Sequence, residues 1–346
     1  MKSHAVRILK SKKLSLLIKL VLVVGVFTLL MDKGLISLEA TGRALQNWPL
    51  LLAAFGVMFL NLLLSMVRWQ ILLKAQGIHF KLLRTIELGW VGHFFNTALP
   101  GAVSGDFIKA FYVGKEVQGK KSTAFGSILF DRILGLSALV LVSAIALSLD
   151  FSHFVGSPIL AAIQVVLLSS GFAVLAFYGY LFVVQEHRDP FILVLKWVEK
   201  RVPRARSVTQ LYLAIRVYHS QRSSVVKALL ISLVMHMNMG WVAVLLATAL
   251  GDAALPLLTL FVVVPLGMLA TAIPVLPGGL GTGHAAYTWG FLLLGSQRGA
   301  DVFNLQFLLG LILSGMGGLI YLRFRSQENG PILSPYVGDE LHSRTS

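Results

Sequence analysis

Cysteine does not occur in the chain. Its absence removes disulfides, thiol nucleophiles and thiolate-held zinc or iron–sulfur centres. Charge is scarce too: 13% of the residues are charged, where a soluble globular protein carries about 25%. The deficit falls on the acids, with 15 Asp and Glu against 30 Lys and Arg. The nine histidines show no H-E-x-x-H or comparable metal spacing, so no metal is expected. No G-x-x-x-x-G-K-[ST] occurs, which leaves ATP out as the direct driver. No cofactor is expected at all. No small-x-small cleavage site follows the first apolar run, Leu14–Met31, which therefore reads as an uncleaved span. Long polar stretches are lacking as well. The longest, Gln185 to Lys227, is too short and too basic for a separate soluble domain.

What fills the chain is apolar sequence, 56% of the 346 residues. The fold class is all-α, a polytopic helical membrane protein. About six full spans are expected: Leu14–Leu30, Trp48–Val67, Ala124–Leu149, Pro158–Val184, Ala228–Leu250 and Val302–Leu322. Trp48-Pro49 supplies an interfacial aromatic and a helix start. Arg68, Lys74, Lys81 and Arg84 read as a basic loop. In 185–227, Phe191–Val198 and Val208–Val217 flank Pro203 and read as two short interfacial helices, or else as a solvated linker. In the last span Gly310, Ser314 and Gly318 recur every four residues, which suits close helix packing. The whole, 1–346, reads as one integral membrane domain. Its core is 14–323, its cytoplasmic interfacial basic segment 185–227 and its cytoplasmic tail 324–346.

Two further apolar stretches are interrupted. Ile86–Val113 breaks at Pro100, Gly101 and Gly105; Leu257–Leu294 breaks at Pro274, Pro277, Gly278, Gly279 and Gly281. Such residues do not continue a helix, and halves of about 14 residues do not span a core needing about 20. Each therefore reads as a re-entrant hairpin of two half-helices, the alternative being a kink within one long span. In lipid, broken backbone must be buried in protein or line a wet cavity. Charge orients the chain: with the N-terminus inside, 24 of the 30 Lys and Arg fall on the cytoplasmic side and three outside. Both termini are then cytoplasmic, and the first hairpin dips from the cytoplasm, the second from outside. Opposed broken hairpins are the signature of an inverted-repeat transporter with its site near mid-membrane. Half-helix N-termini there favour anions such as phosphate.

Asp106 and Lys109 lie three apart on the returning half-helix and can pair on one face, as a site or with Lys109 snorkelling. Arg132, beside Asp131, can hold a phosphate if its helix starts near Ser122, or marks a boundary if it starts near Phe130. His284 follows the second glycine turn as a titratable group or a core histidine. Asn96 caps backbone or meets substrate. His93 and Asn304 are expected to be satisfied by neighbouring helices. Gly281-Thr-Gly-His-Ala-Ala286 matches G-x-G-x-x-A, but it lies in membrane sequence with no preceding strand and is rejected as a dinucleotide site.

Three motifs in order carry a resemblance: Asn96-x-x-Leu-Pro-Gly-x-x-x-Gly-Asp-x-x-Lys109, Ala124-x-Gly-Ser-Ile-Leu-Phe-Asp-Arg132 and Pro274-x-x-Pro-Gly-Gly-Leu-Gly281. Together they resemble the lysylphosphatidylglycerol synthase transmembrane, or flippase-like, family over roughly 14–323. That family includes stand-alone YbhN-like inner-membrane proteins and the membrane half of multiple peptide resistance factors, which moves aminoacylated lipid between leaflets. The chain departs from the pattern at Lys109, where Arg is usual, and at His284, where Glu is usual, which implies a different head group. The resemblance implies an inner-membrane lipid transporter or flippase for an anionic or lipid-linked head group, and not an enzyme making the lipid. Lys109 and Arg132 would hold phosphate, Asp106 and His284 would be protonatable partners, and Asn96 and Asp131 would complete the site. A membrane transferase using Asp106 or Asp131 as base, and a non-catalytic partner of a separate synthase, stay open. Membrane lipids are the expected partners, nucleic acid is not, and a homo-oligomer is left open.

Overall fold

The computed structural model describes residues 38–98, 104–117, 121–150, 158–202, 206–252, 255–273 and 277–327. The expected first span, Pro100, Gly101, Pro274 and both termini lie outside them. The described residues form twelve α-helices and no strand. They are α1 (Leu38–Gln46), α2 (Trp48–Ala75), α3 (Leu82–Ala98), α4 (Ser104–Glu116), α5 (Lys121–Leu149), α6 (Pro158–Val183), α7 (Pro190–Arg201), α8 (Arg206–Arg216), α9 (Arg222–Ala249), α10 (Leu257–Thr271), α11 (Thr282–Leu293) and α12 (Gly299–Gln327).

Five of them, α2, α5, α6, α9 and α12, are long and apolar enough to cross a bilayer. The chain is an all-α polytopic membrane protein. Helix α2 opens with Pro49 in its first turn and runs 28 residues, about 42 Å. It therefore continues past Arg68, which corrects the expected basic loop. A helix need not end at a charge when the partner charge is also inside, and Arg68 meets Asp131 of α5. Helix α5 starts at Lys121, so Asp131 and Arg132 sit about three turns in and not at a boundary. Helix α6 is the outer one: Val165, Val166, Phe172 and Leu175 are all exposed, as lipid-facing residues are.

The interrupted stretches are helical pairs. Helices α3 and α4 have 17 and 13 residues, and α10 and α11 have 15 and 12. At ~1.5 Å per residue these arms are about 18 to 26 Å long, short of a ~30 Å core. The arms of each pair pack on each other. Between α3 and α4, Gly92 and Gly105 touch backbone to backbone, and a Cβ on Gly105 would overlap the Gly92 carbonyl. Between α10 and α11, the described residues include a 3-10 turn, Pro277–Gly279, with positive φ at Gly278, Gly279 and Gly281.

The long-range contacts repeat in two halves. Helix α2 precedes the first pair and α9 the second, and these two form the most extensive contact. Helix α3 packs on α12, the helix after the second pair, while α10 packs on α5, the helix after the first. Helix α3 also meets the Pro277–Gly279 turn, so the interrupted regions abut.

The basic segment holds α7 and α8, as two short helices, and is not a loose linker. Asp189 caps α7, accepting from the Phe191 and Ile192 N–H groups, and Pro190 fits the first turn. The fully buried Asp189 carboxylate also accepts from Tyr180 at 2.7 Å and Tyr212 at 2.9 Å, and lies 3.0 Å from Arg216. Burial pushes this carboxyl up, but the tyrosine and backbone hydrogen bonds outweigh it and hold it below the ordinary value. Helix α8 is pressed on α5 at Ala214 and Gly126, and Tyr218 stacks on Phe130 at 4.0 Å.

Candidate functional site

A cavity of about 490 Å³ opens where the interrupted pairs meet. Helix α3 lines it with Gly92, His93, Asn96 and Thr97, and the second pair with Thr271, Gly278 and Gly279. Helices α2, α4, α5, α9 and α12 close the remaining sides. The volume falls in the range of small-molecule sites, roughly 300–1,000 Å³. Five of the chain's nine methionines line it: Met58, Met66, Met235, Met239 and Met268. Flexible thioethers give an apolar wall that adapts in shape.

Two ion-pair systems carry the charge. In the first, Arg68 donates from Nε to Asp131 Oδ1 at 2.7 Å and from Nη2 to Oδ2 at 2.9 Å. Its Nη1 donates to Ser232 at 2.8 Å. Both partners are almost fully buried, so this fork clamps α2, α5 and α9 together. Asp131 is thus engaged by Arg68, a residue the loop reading had missed. Its signal was available: apolar sequence resumes after Arg68 with Ile71, Leu72 and Leu73, so the charge stands inside a run and not at its end.

In the second system Asp106 is shared. Lys109 Nζ lies 3.2 Å from one carboxylate oxygen, and Arg132 Nε donates to the other at 2.5 Å. The expected Asp106–Lys109 pair therefore forms, and Arg132 joins it across the α4–α5 contact. Lys109 Nζ also sits 4.7 Å above the Trp69 ring, which pins it. Arg132 is the accessible member, its side chain 44% exposed where those of Asp106 and Lys109 are about a tenth. Among the described residues its two terminal nitrogens have no hydrogen-bond partner. Three cations and two carboxylates leave the region one positive charge in excess when the histidines are neutral.

The neutral polar groups divide between the breaks. Asn96 Oδ1 accepts from the Gly105 N–H at 2.7 Å, so it clasps the first break and also lines the cavity. His284 does not line the cavity. Its Nδ1 accepts from the Gly281 N–H at 3.2 Å, and its Nε2 meets Asn304 Oδ1 at 2.7 Å. Both ring nitrogens thus have partners, and the ring is set between the glycine turn and α12. His93 departs the other way: its Nε2 is buried without a partner among the described residues, as is Nδ1 of His236 on α9. Both rings line the cavity. His236 was not anticipated; neither were Asn61 and Asn238, which hydrogen-bond at 2.9 Å between α2 and α9. Of the expected break residues, Gly278 and Gly279 line the cavity and Gly105 and Gly281 build the turns beside it.

A family model of the lysylphosphatidylglycerol synthase TM region matches residues 16–302. A UPF0104 membrane protein of Pyrococcus horikoshii is 27% identical over 131 residues, 37% of this chain and 39% of that protein. The match spans about two-fifths of that curated relative's length. No solved structure matches.

Proposed function

Because the chain belongs to the family of the lysylphosphatidylglycerol synthase TM region, we propose that it carries the polar head of an anionic, amphipathic lipid between bilayer leaflets. Membership and five span-length helices make it a membrane protein of lipid metabolism or transport. The finer reading rests on one observation, the charged cavity of about 490 Å³ lined from both interrupted pairs. Polar groups held in a membrane core are costly unless paired, so a cavity lined by Arg68, Lys109, Asp131 and Arg132, two of them paired to Asp106, is a substrate path by default. The reciprocal packing of α3 on α12 and α10 on α5 is what two related halves of opposite orientation would give. In this reading the pairs are re-entrant and the basic segments face the cytoplasm of an inner membrane.

Arg132 is the group that meets the lipid. Its Nε is held by Asp106, which aims the guanidinium, while its terminal nitrogens are left for a phosphate. Lys109 also faces Asp106, so the carboxylate keeps a second cation while Arg132 holds the phosphate. The acyl chains remain in lipid while the head crosses. The transferase alternative asks Asp106 or Asp131 to act as a base, and both already face guanidinium groups.

The test is transbilayer movement of an acyl-labelled acidic phospholipid in proteoliposomes. Movement should exceed that in protein-free vesicles, and Arg132→Ala should slow it about tenfold or more, the worth of a charge-assisted hydrogen bond of ~1.5–3 kcal/mol. Asp106→Ala should slow it as well. No movement above background, or Arg132→Ala moving lipid at the parental rate with the protein folded, overturns the reading. A new lipid species in cells expressing the protein favours the transferase.

A further inference from the structure

Resting on that reading, we infer that the head group is a monoanionic phosphodiester whose outer part carries hydroxyls and no amine. The inference comes from what the cavity has left to offer once its internal bonds are counted. Arg68, Lys109 and Arg132 face Asp106 and Asp131, an excess of one positive charge. One phosphodiester charge neutralises it, whereas a phosphomonoester overshoots.

An amine-bearing head needs a carboxylate or an open aromatic face. Asp131 is occupied by the Arg68 fork. Asp106 is not among the cavity-lining residues: Arg132 holds its Oδ2, and its Oδ1, which has no hydrogen-bond partner among the described residues, faces the Lys109 ammonium at 3.2 Å. Among the described residues Asp131 is the one acid that lines the cavity, and residues 99–103 and 274–276, at the two breaks, contain no acid in sequence. The Trp69 face that could hold a quaternary ammonium is already covered by Lys109 Nζ at 4.7 Å.

What is left beyond Arg132 is neutral hydrogen-bonding capacity. His93 and His236 each leave one buried ring nitrogen without a partner among the described residues. Asn96 uses its oxygen on Gly105, and Gln306 accepts from Tyr287 at 3.0 Å, so their amide N–H groups are the remaining donors. Unmet imidazole and amide groups in a buried site are matched by hydroxyls, which both donate and accept. A site built to bond hydroxyls rejects analogues that lack them, because its own groups are then stranded.

The experiment uses the full chain in proteoliposomes and lipids of identical labelled tails: phosphatidylglycerol, phosphatidylethanolamine, phosphatidylcholine, lysyl-phosphatidylglycerol and phosphatidic acid. Phosphatidylglycerol should move at least about tenfold faster than any amine-bearing lipid. His93→Ala should cut the ratio of phosphatidylglycerol to phosphatidic acid about threefold to tenfold, the worth of one hydrogen bond, and His93→Gln should restore part of it. An amine-bearing lipid moving as fast or faster, with its dependence on Arg132 intact, overturns this inference and leaves transport standing. Failure of all five lipids to move overturns transport itself. Uptake of soluble glycerol 3-phosphate by the same vesicles would show that the ligand is not a lipid.

Discussion

The two interrupted regions solve one geometric problem with different chemistry. At the first, a side chain does the joining: Asn96 bonds the Gly105 N–H, and charges from α4 and α5 gather beside it. At the second, the backbone does the joining, through three glycines at positive φ, a conformation with little cost only for glycine. Its polar groups are neutral and bonded to one another: His284 to Asn304, and Tyr287 to Gln306 at 3.0 Å. His284 is further packed against Phe303, ring centroids 4.7 Å apart. The two interrupted regions therefore share a contact pattern while the ion pairs gather at one of them. Under the proposed function, the first half would meet the charge of the lipid head and the second would give a neutral wall against which it fits.

The sharpest way to break this contrast is to strand a charge in the first half. Asp131→Ala leaves Arg68 buried without its carboxylate and should cost about 3–5 kcal/mol. Thermal unfolding in detergent reads it, and Arg68→Met with Asp131→Leu should recover much of the loss, because a buried pair is replaceable by packing. Gly105→Ala comes next, at about 1–3 kcal/mol, because its Cβ would lie 2.6 Å from the Gly92 carbonyl carbon and backbone must yield. Gly56→Ala, with open space around it, should shift stability by less than about 1 kcal/mol and serves as the control. A Gly105 effect no larger than that of Gly56 would mean that the two arms of the first pair do not pack as closely as described.

The architecture was legible because lipid leaves few choices. Runs of apolar residues long enough to span, and Pro-Gly clusters inside them, decide which helices are whole and which are interrupted. Asp106 with Lys109 was legible from spacing alone. Partnerships across helices were not. Nothing local to Arg68 names Asp131, 63 residues away, as its partner, and the same residue without that partner would end a span. The partners of His284 were hidden for a related reason. A histidine after a glycine turn looks free to titrate until Asn304, on the next helix, claims its second nitrogen. His93 looked like a satisfied core residue, and only three dimensions show its Nε2 unmet among the described residues.

In the second half the contrast predicts a smaller and different effect. His284→Ala leaves the Gly281 N–H and Asn304 Oδ1 without their partner, a cost of about 1–3 kcal/mol. Because His284 does not line the cavity, lipid movement by the protein that folds should keep its choice of head group. A changed lipid preference in His284→Ala would remove the division between a charged half and a shape-giving half.

The smallest effect should come from outside both regions, at Asp189. Its carboxyl is held below the ordinary value, so the stability it contributes is fully present above the unfolded-state value and is lost only as pH falls through the depressed folded one. Hydrogen exchange over α7 and α8 should therefore be flat from pH 8 to about 5 and rise only in stronger acid. Asp189→Asn should raise exchange at neutral pH, since the amide cannot accept from Tyr180, Tyr212 and two N–H groups as a carboxylate does. Transport should be nearly untouched if α7 and α8 only cover the membrane face. Transport that falls together with the exchange protection would instead mean that α8, pressed on α5 through Ala214 and Gly126, helps hold Arg132 where the lipid meets it. The charged half would then extend into the basic segment, and its boundary would lie at Asp189 and not at the first break.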